Sequence, residues 1–104
     1  MSTRCLQAVS WKNVQMEGGF WGTRLEANRE ATLEHQYKQL KETGRIGNFR
    51  RASDKEKGEF EGRFLNDSDA YKWLEAASYS LGTHPADKEL ENKVENLIKE
   101  VAAA

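Results

Sequence analysis

The sequence predicts a mainly α-helical (all-α) fold: an αα-hairpin that follows another helix, with a short strand or extended segment at the N-terminus. Three stretches, residues 23–43, 67–82 and 85–103, repeat apolar side chains at helical spacing. Glycine and other turn-forming residues separate these stretches. Residues 44–66 are therefore predicted to be a loop, and residues 1–22 an extended N-terminal segment.

The composition indicates a folded chain without a strong electric field. Of the 104 residues, 38% are hydrophobic, and 16 basic against 17 acidic side chains leave a net charge of -1. Nucleic acids and anionic membranes bind strongly basic surfaces, so neither is expected as a partner. The absence of a bilayer-length apolar run and of a leader-like start predicts a cytoplasmic protein.

Cysteine and histidine are scarce in this sequence. The single cysteine, Cys5, cannot form a disulfide within the chain, and it cannot complete a structural zinc site with His35 and His84. We therefore assign no metal ligand and expect no cofactor in this chain.

The N-terminal segment alternates apolar and polar side chains over residues 6–16, as a half-buried strand does. Gly18 and Gly19 interrupt the alternation. Phe20 and Trp21 follow at the entry to the first helix, where they are expected to serve as a hydrophobic anchor.

The first predicted helix, residues 23–43, has Thr23 as its expected N-cap and Gly44 as the glycine that ends it. Its apolar face is formed by Leu25, Leu33, Tyr37 and Leu40. The predicted loop over residues 44–66 is long for a compact domain, which is typical of a functional loop.

The second and third helices are predicted to pair as inner and outer members of a hairpin. Residues 67–82 carry little charge after the first turns, so this helix is expected to be buried on more than one side. Gly82 is expected to end it, and Pro85 to open the outer helix, residues 85–103, which has a single apolar stripe.

Four segments of the sequence carry a resemblance to a known family. The longest runs from Asn66 to Leu81 and continues through His84-Pro85 and Glu89-Leu90. The shorter ones are Gly19-Phe20-Trp21 with Arg24 to Arg29, Gln36-Tyr37 through Gly44 to Phe49, and Glu59 to Gly62. Together they resemble the start of the catalytic domain of glycoside hydrolase family 127, the β-L-arabinofuranosidase family.

This resemblance implies an α/α six-hairpin barrel with additional β-sandwich parts, of which residues 1–104 form a single partial domain at the N-terminal end. It also implies retaining hydrolysis of β-linked L-arabinofuranose by a cysteine nucleophile held at a zinc site. The family's nucleophile, zinc ligands and catalytic glutamate match no residue here, so no catalytic residue is assigned and the chain alone is expected to be inactive. The expected partners are the remainder of the barrel and, in the full-length enzyme, arabinose-containing glycans.

Four residues are expected to border the sugar site: Asn48, Asp67, Asp69 and Trp73. By the resemblance, Asn48 aligns near a sugar-contacting position and the two aspartates begin a helix at the pocket; an exposed tryptophan would stack on a sugar ring. Each assignment has a structural alternative. Asp67 and Asp69 also cap and charge a helix start, and Trp73 on an apolar helix also fits a core.

Two functions without catalysis stay open. A free-standing helical module would use the exposed face of helix 67–82 for self-association or for binding another protein. A small carbohydrate-binding unit would depend on Trp73 to contact the sugar.

Overall fold

The structure, a computed structural model, describes residues 5–104. Five α-helices occupy most of that range: α1 (Gly19–Ala27), α2 (Leu33–Glu42), α3 (Arg45–Ala52), α4 (Asp67–Thr83) and α5 (Lys88–Ala103). No strand occurs among the described residues, and the predicted α-helical fold class is confirmed. Over the same residues, no helix combines the length and apolar character that crossing a membrane requires.

Helix α4 lies at the centre of the fold and packs against α2, α3 and α5. Its apolar residues at helical spacing, Ala70, Trp73 and Ala77, are all buried. Between the two alanines, Trp73 is only 3% exposed, and its indole Nε1 donates a 2.9 Å hydrogen bond to the carbonyl oxygen of Leu33 on α2. The Tyr37 ring packs on the same indole with 4.8 Å between ring centroids. Both α2 and α4 thus meet at this tryptophan.

Helices α4 and α5 form a hairpin, as predicted, but the turn between them is placed differently. Helix α4 continues through Gly82 to Thr83, and Pro85 lies in the turn rather than in the first turn of α5. Helix α5 begins later because Asp87 caps it: a side-chain oxygen of Asp87 accepts a 3.1 Å hydrogen bond from the backbone N–H of Leu90.

The predicted loop over residues 44–66 is wrong in its first third, where α3 forms. Gly44 follows α2 with a φ of +77°, which a glycine adopts without strain, and the chain changes direction there. Ile46 and Phe49, three residues apart on α3, are both buried in the core. Burial of this short apolar face stabilises α3. The sequence did not predict the helix, because two apolar residues in a glycine-rich stretch give no periodic pattern.

The predicted N-terminal strand is also wrong for the described residues. Residues 5–10 form no regular secondary structure, and Trp11 to Asn13 form a single 3-10 turn. The part of the prediction that falls on residues 1–4 lies outside the described residues. Instead of joining a sheet, Trp11 packs edge to face on Tyr79 of α4, with ring centroids 5.1 Å apart.

Gly82 has a packing role that explains why α4 contains a glycine. A Cβ atom at this position would stand 2.0 Å from Cη2 of Trp11. The glycine was predicted to end the helix, yet it lies inside α4, where its bare backbone lets the N-terminal segment cross.

Helix α1 begins before the predicted N-cap. Thr23 lies within the helix, and its hydroxyl donates a 2.9 Å hydrogen bond to the carbonyl oxygen of Gly19. No residue of α1 is buried, and Phe20 and Trp21 are 60% and 64% exposed. Their rings pack edge to face on each other, with centroids 4.9 Å apart, and the predicted anchor does not enter the core. The projecting helix gives a radius of gyration of 17.6 Å, against about 13 Å for a compact domain of this length.

A charged clamp joins α2 to α5. The ammonium of Lys93 bonds to Glu34 on α2 and, at 2.8 Å, to Glu89 on its own helix. Partial burial lowers the pKa of Lys93, but these two hydrogen bonds outweigh it and hold the pKa above its ordinary value. The pKa of the neighbouring Tyr37 phenol is also raised, in this case by burial, which disfavours the charged phenolate.

Replacing Trp73 with phenylalanine is expected to lower the free energy of unfolding by about 3 kcal/mol, because the Leu33 carbonyl loses its partner and a cavity opens in the core. Urea denaturation followed by far-UV circular dichroism measures the change. The matched control is Trp21→Phe, whose ring is 64% exposed; it is expected to change stability by less than about 0.5 kcal/mol. Equal effects of the two variants would contradict the central role of Trp73.

Stability is expected to fall as the solution becomes strongly alkaline. Because the folded chain raises the pKa of Lys93, its stabilising contribution is complete below the ordinary value of 10.5 and is lost as the pH rises through the raised pKa. Tyr37 acts in the same direction, since its phenol ionises more readily in the unfolded chain. Denaturation curves at increasing pH should show a shallower decline for Lys93→Met than for the parent chain, whereas the exposed control Lys99→Met should keep the parent slope.

Candidate functional site

Asn48 on α3 is a buried polar residue that fixes the loop after α3. Its side chain is 6% exposed, and its amide nitrogen donates a 2.9 Å hydrogen bond to the carbonyl oxygen of Glu61. The Oδ1 atom of Asn48 accepts a 2.9 Å hydrogen bond from the backbone N–H of Glu61. This paired contact imitates one step of a β-ladder and stabilises an irregular segment whose backbone would otherwise lack partners.

Arg51, one turn further along α3, completes this anchor. Its side chain is 9% exposed, and its guanidinium donates a 2.9 Å hydrogen bond to Oδ1 of Asn48. It also pairs with Glu56 at 2.9 Å and with Glu61 at 3.1 Å. The sequence analysis did not single out Arg51, because its position one helical turn after Asn48 becomes informative only once α3 is recognised.

Asp67 and Asp69 lie in the first turn of α4, and both are half-buried. The N-cap residue of the helix is Asn66, which makes no side-chain cap hydrogen bond. The two aspartates therefore act on the helix as first-turn charges, which the macrodipole favours, and not as the cap that was predicted. Their carboxylate oxygens can accept hydrogen bonds from hydroxyl groups.

Arg45 links the start of α3 to the start of α4. Its Nε lies 3.5 Å from Oδ2 of Asp69, and its Nη1 donates a 2.9 Å hydrogen bond to the carbonyl oxygen of Thr43. Because Asn48 lies on the same short helix as Arg45, two of the expected sugar-site residues are held by one structural unit. Sequence reasoning missed Arg45, since its partner is 24 residues away.

Trp73 is not part of this unit. Its ring lies in the core and its N–H is already bonded to Leu33, so no face is available for stacking on a sugar within this chain. The geometry supports the structural alternative, a core tryptophan. A cleft of about 500 Å³ between α2, α3 and α5 is lined in part by Arg51 and Glu61, but by none of the four expected residues.

The described residues include no group of three or more histidine, cysteine, aspartate or glutamate side chains placed to hold a metal ion. The zinc that the resemblance implies does not fit the donors of this part of the chain. We therefore assign these residues no step through a metal.

Replacing Asn48 with alanine is expected to lower the free energy of unfolding by about 2 kcal/mol, because the backbone N–H and C=O of Glu61 both lose the hydrogen bond to the Asn48 amide. Cleavage by trypsin after Lys55 or Lys57 is expected to accelerate in the same variant, since that loop loses its anchor. The control is Asn92→Ala at an exposed position of α5. Unchanged stability and unchanged cleavage would show that the loop does not depend on Asn48.

The chain is similar to known proteins over nearly its whole length. Residues 13–104 match the family described as beta-L-arabinofuranosidase, GH127 catalytic domain. The non-reducing end beta-L-arabinofuranosidase of Bifidobacterium longum subsp. longum is 39% identical to this chain over 59 residues. No solved structure matches the chain significantly.

The matched stretch covers 57% of this chain but 9% of the Bifidobacterium protein, so this chain corresponds to a small part of that relative. The family match begins before α1 and includes all five helices. This chain belongs to the glycoside hydrolase family 127 catalytic-domain family, and it represents a fragment of that domain.

Proposed function

We propose that the whole protein hydrolyses β-L-arabinofuranosides and that this chain supplies the N-terminal piece of its catalytic barrel. The observation that carries the proposal is the family match over residues 13–104. The activity for which the Bifidobacterium relative is named supports an arabinofuranoside as the substrate. In this proposal α4 is an inner helix and α5 an outer helix of one barrel hairpin.

The residues of this chain contribute shape and hydrogen bonding to the proposed pocket. Asp67 and Asp69 border it from the start of α4 and accept hydrogen bonds from sugar hydroxyls. Arg45 holds Asp69, and Asn48 holds the adjoining loop. The bond-breaking groups belong to the remainder of the domain, so the isolated chain is expected to have no hydrolase activity.

Self-association is a second candidate, favoured by exposed aromatic side chains on and beside α4. Tyr71 and Tyr79 are 49% and 52% exposed, and Phe64, just before the helix, is 85% exposed. Sedimentation velocity over a range of concentrations separates the candidates: a defined oligomer that Tyr71→Ser abolishes favours the module, whereas a monomer favours the barrel piece.

The proposed activity is tested with a chimera, in which this chain replaces the matching stretch of the Bifidobacterium relative and everything before it. The folded chimera is expected to release L-arabinose from a synthetic β-L-arabinofuranoside, whereas the chain alone is expected to release none. A folded chimera without activity would contradict the proposed function.

The substrate-contact role is tested in the same chimera. Asp67→Asn and Asp69→Asn are each expected to raise KM by about tenfold with a smaller change in kcat, because each variant weakens a hydrogen bond to the sugar that exists before the reaction begins. The matched control is Asp54→Asn, in the exposed turn after α3, which should leave both constants unchanged. An unchanged KM in both variants would exclude the two aspartates from the sugar site.

A further inference from the structure

The long helix that runs from Gly19 to Glu42 is covered on its C-terminal half only. In α2, Leu33 and Leu40 are buried against the hairpin. In α1 no residue is buried, although Trp21 and Leu25 are large and apolar and are 64% and 55% exposed. A short helical segment gains little stability in water without packing, and among the described residues nothing buries the apolar side chains of α1.

A π-turn between the two halves aligns these exposed residues with the buried stripe. Residues Asn28–Thr32 are π-helical, and the N–H of Leu33 bonds to the carbonyl oxygen of Asn28, five residues earlier. A π-turn adds one residue to the regular helical ladder. Leu25 and Trp21 precede Leu33 by eight and twelve residues. Because the π-turn contains one extra residue, Leu25 and Trp21 lie where residues seven and eleven positions before Leu33 would lie in a regular α-helix. Residues seven and eleven positions apart share one face of an α-helix.

The π-turn lies level with the turn of the α4–α5 hairpin. Arg29, within the π-turn, stands 3.7 Å from Asp87, which caps α5. N-terminal to Arg29, α1 packs extensively on neither α4 nor α5, in a molecule 63 Å long and 24 Å thick. At this point an open cleft of about 720 Å³ lies between the long helix and residues 84–88. The apolar stripe thus continues beyond its own core.

A second copy of the chain is a poor occupant for this stripe. Helix α1 has 9 residues, which corresponds to a length of about 14 Å. Two such helices side by side bury much less than the roughly 1,000 Å² that a stable interface needs. The family match includes all of α1, so this helix belongs to the catalytic domain, and more of that domain is available to cover it because the matched stretch is only 9% of the Bifidobacterium relative.

We propose that Trp21 and Leu25 form a docking surface for the remainder of the catalytic domain, and that the π-turn sets the register of this surface with the core stripe of α2. The occupant is an apolar element of that domain, placed end to end with the α4–α5 hairpin. The proposal rests on the proposed function, because it takes this chain to be part of a larger catalytic domain.

Hydrogen exchange tests the docking surface in the isolated chain and in the chimera described above. Backbone amides of residues 19–27 are expected to exchange rapidly in the isolated chain at every concentration, and about tenfold or more slowly in the folded chimera, where the stripe is covered. Amides of α4, which are packed in both proteins, serve as the internal reference.

Two variants separate apolar contact from helical register. Leu25→Ser removes one docking side chain, and deletion of Ala31 removes the extra residue of the π-turn while it keeps Trp21 and Leu25. Both are expected to abolish the added protection in the chimera and to leave the unfolding transition of the isolated chain within about 0.5 kcal/mol. The matched control is Ile98→Ser on α5, which is 51% exposed and lies off the stripe; it should keep the protection.

Each other result overturns the proposal. A folded chimera that hydrolyses the arabinoside while residues 19–27 exchange as in the isolated chain removes the docking surface and leaves the proposed function intact. Protection in the isolated chain that grows with concentration identifies a second copy as the occupant. Protection that survives deletion of Ala31 removes the role of the π-turn. A chimera that does not fold removes both this proposal and the proposed function.

Discussion

The hydrogen bond from the Trp73 indole to the Leu33 carbonyl is the constraint on which the rest of the structure depends. A buried indole N–H without a partner is costly, so the bond fixes where α2 lies along α4. With that position set, Tyr37 packs on the Trp73 ring and Glu34 meets Lys93. Helices α2, α4 and α5 then enclose a core around the Trp73 side chain. A chain of this size has a small core, so one large buried side chain contributes much of its stability.

Polar contacts of α3 fix the irregular segment between α3 and α4 against the helices. Asn48 uses both ends of its amide on the backbone of Glu61, and Arg45 joins α3 to Asp69. As a result, a residue that was expected to contact sugar acts in this chain as a structural anchor, while the aspartates at the start of α4 keep half-exposed carboxylates. The part of the family's catalytic domain that this chain represents is therefore a scaffold of packed helices held by a few polar contacts.

How well each element could be predicted depended on the length of its pattern. Helices α2, α4 and α5 repeat apolar residues over several turns, and the sequence therefore indicated them clearly. Helix α3 has two buried apolar residues, which are too few for a periodic signal. The alternation over residues 6–16 is typical of a strand, but the described residues contain no other strand with which it could pair. Among the expected site residues, Asp67 and Asp69 were placed correctly at a helix start, but Trp73 fitted both a core and a sugar platform until its surroundings were known.

The sequence by itself determined the helical class, the hairpin of α4 and α5, and the family, because these depend on local periodicity and on contiguous motifs. Only the tertiary structure decided that Trp73 is a core residue, that Gly82 makes room for Trp11, and that Asn48 serves the loop. The physical reason is that each of these roles depends on an atom 13 or more positions away along the chain. No local pattern contains such a partner, and folding alone brings the two together.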